Sequence, residues 1–122
     1  MRPKVKIKIN DIFWTVYGVE ADSEELDFED EVVFGLTKFS TSEIFVQNEE
    51  MNAEVVYRTI RHELTHAFLY SYGYDGSSMD EEAIANFVEC FAESIVNDAR
   101  KIFDHFQKTS LQGKPSENIA FA

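Results

Sequence analysis

A single cysteine, two prolines and five glycines in 122 residues leave this chain with no internal disulfide and few helix or strand breakers. The lone Cys90 excludes a disulfide-stapled secreted scaffold, so a cytoplasmic setting is the simplest expectation. It falls among Val88, Phe91 and Ala92, where a buried thiol is expected. No stretch approaches the roughly 18 apolar residues of a membrane span, and the first residues carry no apolar secretory core, so no membrane partner is expected. Positive charge is scarce: 11 Lys and Arg stand against 23 Asp and Glu, a formal net charge of −12. Such a surface repels phosphate backbones and argues against nucleic acid as a partner. The acidic runs from Glu20 to Glu31 and from Glu49 to Glu54 read as solvated faces able to steer a basic substrate.

Core material, by contrast, is plentiful. Hydrophobic residues make up 44% of the chain, eleven of them Phe, enough for one domain over residues 1–108 followed by a polar tail over 109–122. Lys4 to Ile9 alternates charged and aliphatic side chains, the period of a half-buried strand, and Phe13 to Val19 continues as extended chain. Val32-Val33-Phe34 and Glu43 to Gln47 read as further strands, joined through Gly35 and the Ser40-Thr41-Ser42 cluster. The expected fold class is α+β: a three-stranded, mostly antiparallel sheet followed by two helices.

The first helix carries Ala53, Val56, Tyr57, Ile60, Leu64, Ala67 and Phe68 on one stripe at spacings of three and four, the pattern of a buried face. The helix also carries His62-Glu63-Leu64-Thr65-His66, whose two histidines lie opposite that stripe. Two histidines four apart on a helix point the same way and can close on one zinc ion at roughly 2.0–2.1 Å each. Glu63, about 100° round the helix, reaches the same side. Chance gives this pattern in such a chain with a probability on the order of one per cent. Leu69 and Tyr70 put apolar surface beside the histidines, so that face meets a cleft rather than bulk water.

The helix should stop near Gly73, and Ser78 with Glu81 forms a capping-box pattern for a second, longer helix. Ile84, Phe87, Val88, Phe91, Ile95, Ala99, Ile102 and Phe106 form its apolar stripe. Glu82, Asn86, Glu89 and Glu93 form the opposite one. Glu89 and Glu93 read as solvent face; Glu82, in the first turn near the returning loop, is the candidate third metal ligand.

His62 to His66 followed by a turn and Glu82-Ala83-Ile84-Ala85-Asn86-Phe87 resembles the gluzincin branch of zinc peptidases. More narrowly, it is similar to the ImmA/IrrE-like metallopeptidases and to minimal gluzincins of bacterial, archaeal or phage proteins, over roughly Phe34 to Phe91. The resemblance implies a zincin-like domain with zinc held by His62, His66 and Glu82, and with Asn86 orienting the His66 ring. It implies hydrolysis of a peptide or protein substrate by activated water, with Glu63 as general base. Tyr70, Tyr72 and Tyr74 are nearby donors for the developing oxyanion, with no choice among them. An edge strand pairing with the substrate is implied too, and Glu43 to Gln47 is the candidate. The resemblance also implies a tail from Thr109 to Ala122 able to lie in the cleft. The competing expectation is an acidic protein-binding module, with zinc or metal-free, and no catalytic activity.

Overall fold

Asn10 and Asp11 both adopt positive φ, 46° and 69°, in the two-residue link that folds β1 (Lys4–Ile9) back on β2 (Ile12–Val19). Asn and Asp tolerate that left-handed conformation, and a two-residue turn with both φ positive matches the twist of an antiparallel pair. The computed structural model describes residues 2–49 and 52–113, with side chains described as far as residue 108. Glu29 and Asp30 repeat the same turn between β3 (Asp27–Phe28) and β4 (Glu31–Val32), a small separate ribbon. β5 (Gly35–Lys38) and β6 (Glu43–Gln47) follow. Two helices complete the described chain, α1 (Ala53–Ser71) and α2 (Glu81–Gly113).

The main sheet has four strands in the order β1-β2-β6-β5, not the three expected. β1 with β2 and β5 with β6 are antiparallel, while β2 and β6 run parallel. The extra strand is Gly35–Lys38, expected as a connection; Val33 and Phe34 lie outside any strand. A strand at Glu43 to Gln47 is present, but it is interior, paired on both sides. β5 is the edge.

Alternation assigns the two faces of the sheet. Val5, Ile7, Ile9, Ile12, Trp14, Val16, Ile44 and Val46 turn toward the helices and join one core with Val56, Ile60, Leu64 and Phe68 of α1. Phe45, Val19 and Leu26 form a smaller cluster on the other face, closed by a 3-10 turn at Glu24–Leu26. Trp14 is fully buried, and its indole N–H donates to Ser71 Oγ at 2.9 Å, so the end of α1 is tied to the sheet. Asn10 Nδ2 donates to the Ser71 carbonyl at the same distance.

α1 begins where Asn52 accepts the Val55 N–H at 2.9 Å, and the chain turns away just after it at Gly73, φ 78°. Asp80, not Ser78, caps α2: its carboxylate accepts the Ala83 N–H at 2.8 Å. Ser78 instead closes a 3-10 turn over Gly76–Ser78. Along α2, Phe87, Ile95, Ala99, Ile102 and Phe106 are buried as expected, while Ile84 and Val88 are about half exposed, at 50% and 52%. Cys90 is exposed, contrary to the buried thiol expected. The helix continues through the start of the expected tail to Gly113; residues 114–122 lie outside the described residues, and with them the idea of a tail in the cleft. No helix among the described residues is long and apolar enough to cross a membrane.

Candidate metal centre

The face of α1 opposite the core carries His62 and His66, both exposed. Their ring centroids are 5.1 Å apart with planes at 72°. A ring ligating zinc at about 2.1 Å has its centroid about 3.2 Å from the metal, so two such rings at a tetrahedral angle stand about 5.2 Å apart. The pair fits the two-histidine half of a zinc site. Phe39 meets the His66 ring edge-on at 6.5 Å and leans on Tyr70 at 5.0 Å, which in turn meets Trp14. His66 therefore sits beside an aromatic shelf, the apolar surroundings expected from Tyr70 and Leu69.

Glu63 is differently placed. It is only 6% exposed, and its Oε1 accepts a hydrogen bond from Thr37 Oγ1 at 2.7 Å. A carboxylate removed from water needs such a donor, and β5 supplies it. Two residues back on the same face of β5, Gly35 lets the strand come down onto α1. A Cβ there would lie 2.6 Å from Thr59 Cγ2 and 2.9 Å from Glu63 Cγ, closer than side-chain carbons tolerate. Glycine is thus required by the approach of strand to helix. Thr59 and Thr65 return their hydroxyls to carbonyls one turn earlier, Val55 and Arg61, and remain satisfied within the helix.

Between α1 and the stretch leading into β5 lies an open groove of about 760 Å³. Phe34 and Gly35 form one wall; Arg58, Arg61, His62 and Glu63 form the other. Neither Gly35, Thr37 nor the two arginines stood out in the sequence. Gly35-Leu36-Thr37-Lys38 carries no apolar alternation, and its glycine reads as part of a connection, so the sequence held no clear signal for this strand.

The second helix contributes less. Glu82 is exposed in its first turn, and among the described residues no three His, Cys, Asp or Glu side chains are gathered closely enough to hold a metal. The two histidines are together; Glu82 does not stand with them as a formed triad. Asn86, Glu89 and Glu93 are exposed, and no hydrogen bond joins Asn86 to the His66 ring. Tyr70 and Tyr72 are exposed, whereas Tyr74 packs against Phe87 and Phe91. Compared with family models, curated proteins and solved structures, the chain matches none.

Proposed function

We propose that this domain is a zinc-dependent peptidase, with His62 and His66 as two ligands, Glu82 as the third and Glu63 as general base. The observation that carries the reading is the exposed imidazole pair at 5.1 Å, on the helix that also presents Glu63 to the groove. Zinc bound there would supply a Lewis acid that polarises a carbonyl and makes water more acidic. The chain's own residues do the rest. The Thr37 hydroxyl occupies Glu63 Oε1 and fixes the carboxylate, leaving Oε2 beside the bare Cα of Gly35, where a Cβ would stand 3.1 Å away. Oε2 is the atom that takes a proton from water and passes it to the leaving amine. β5, with its outer edge unpaired among the described residues, offers backbone groups to an extended peptide. Asn86 is proposed to orient His66, and the aromatic shelf of Phe39 and Tyr70 to limit water beside it.

Elemental analysis of protein purified without chelator, followed by digestion of a mixed peptide pool, tests this reading. Bound zinc and hydrolysis abolished by Glu63→Gln are expected; glutamine keeps an oxygen for the Thr37 hydroxyl, so folding is preserved. One observation favours the alternative of a non-catalytic binding module: the Glu63 carboxylate is engaged by Thr37 rather than free in the groove. Under that alternative zinc is retained or absent, and Glu63→Gln changes nothing.

A further inference from the structure

We infer that Arg58 and Arg61 form a carboxylate subsite in this groove, so that the preferred peptide is an extended segment with an Asp or Glu side chain at one position. As a statement about substrate, the inference rests on the peptidase reading; as a statement about binding, it stands apart from it. Three observations lead to it. First, acidic residues outnumber basic ones 23 to 11, so a basic side chain has many potential internal partners. Arg58 and Arg61 nevertheless line the groove with no carboxylate within 4.0 Å, since the ion pairs among the described residues involve only Arg2 and Lys8. Glu63, the acid lining the same groove, is bound to the Thr37 hydroxyl instead.

Second, Arg61 lies over an aromatic ring. Its guanidinium carbon lies 4.6 Å from the centre of the Tyr57 ring, and its Nε is buried with no hydrogen-bond partner. A guanidinium restrained over an aromatic ring keeps its terminal N–H groups in a fork that matches a carboxylate. Arg58, one turn earlier and exposed, adds a second positive charge to the same wall. Third, Gly35 belongs both to the groove and to the outermost strand of the sheet. A peptide added along β5 would project alternate side chains to either face, bringing one set toward α1.

The overall charge of −12 sharpens the choice of ligand. A long polyanion meets repulsion from the rest of the surface, whereas a single carboxylate seated between two guanidinium groups gains the local attraction with little of that cost. An extended peptide with one acid and otherwise neutral or basic residues satisfies both conditions.

The test uses the full chain carrying Glu63→Gln, loaded with zinc, so that binding is read without turnover. The probes are short Ala/Ser peptides labelled with an uncharged dye, with one Glu, Gln or Lys moved through successive positions and binding followed by fluorescence anisotropy. Glu at one position should bind about tenfold tighter than Gln, with Lys weakest. Adding Arg58→Gln or Arg61→Gln should largely remove that preference, and Arg61→Lys should restore only part of it. Because Arg58 is exposed, its substitution leaves packing intact and keeps the test valid if the Arg61 variants fold poorly. Equal binding of Glu and Gln peptides, no peptide binding, or a preference that survives Arg58→Gln overturns the subsite. So does displacement of the Glu peptide by an oligothymidine at equal concentration, which would assign the arginines to phosphate. Wild-type digestion of the same peptides separates the two readings. Cleavage without a Glu preference leaves the peptidase and removes the subsite; a Glu preference in binding without cleavage does the reverse.

Discussion

The two faces of α1 are built by different physics. On one, Val56, Ile60, Leu64, Ala67 and Phe68 are buried against the sheet and α2, and dispersion and water exclusion hold them with no directional bond. On the other, His62 and His66 stand in solvent, Arg58 and Arg61 have no carboxylate partner among the described residues, and the buried Glu63 depends on a single hydroxyl from β5. The first face makes the helix rigid. The second can therefore carry groups that contribute little to folding and are left available for a metal or a ligand.

The sharpest way to break this contrast is to truncate each face in turn. Leu64→Ala should cost about 2–5 kcal/mol in urea or guanidinium unfolding, whereas His62→Ala in metal-free protein should stay within about 0.5 kcal/mol. Comparable losses would remove the distinction. Zinc should then act on the groove face alone: free zinc at a hundredfold excess over its Kd should stabilise the fold by about 2.7 kcal/mol, visible as a rise in Tm that chelator reverses. His62→Ala, His66→Ala and Glu82→Ala should each diminish that rise. Full retention in Glu82→Ala, with loss in Glu89→Ala or Glu93→Ala, would move the third ligand along α2.

The contact between β5 and α1 is expected to be the next most sensitive feature. Thr37→Val leaves the buried Glu63 carboxylate without its donor and should cost about 1–3 kcal/mol. Gly35→Ala drives a methyl group into Thr59 and Glu63 and should cost a similar amount, about 1–3 kcal/mol, by calorimetry. If both are neutral, the strand is not pressed on the helix as described. The smallest effect concerns Asp98 on α2, whose carboxyl is pushed above the usual range by burial, partly offset by Lys101. A raised folded-state pKa favours the protonated fold, so this group's contribution falls as pH rises through that pKa. Asp98→Asn should accordingly raise Tm slightly at neutral pH, with the gain vanishing at acid pH, where both side chains are neutral.

Much of α1 was legible because its information is periodic and local. The apolar stripe, the histidine pair and the stop at Gly73 all depend on residues within one helix. The long α2 was legible for the same reason, but periodicity does not say how far along the helix its stripe is covered. Ile84 and Val88 lie on the same line as Phe91, Ile95, Ile102 and Phe106, yet near the start of the helix they are half exposed while Ile95, Ile102 and Phe106 are buried. What stayed hidden depends on two distant segments meeting. Gly35 reads as a breaker until the helix beneath it is known, and Thr37 is an ordinary strand threonine until Glu63 arrives. The interior place of Glu43–Gln47 did leave a trace, since Ile44, Phe45 and Val46 are apolar toward both faces, as in a strand covered on both sides. Glu82 was chosen from position and resemblance, and no gathered group of three ligand side chains stands among the described residues.

The position of β5 has a consequence in time as well as in space. β6 is hydrogen-bonded along both edges, with its Ile44 and Val46 amides toward β2; β5 is bonded along one, through its Leu36 and Lys38 amides, and can peel from β6 while β1, β2 and β6 stay closed. Deuterium should therefore enter Leu36 and Lys38 well before Ile44 and Val46. Each such opening also withdraws Thr37 and uncovers Glu63, so the exchange rate of the Leu36 and Lys38 amides measures how often the carboxylate is released into the groove.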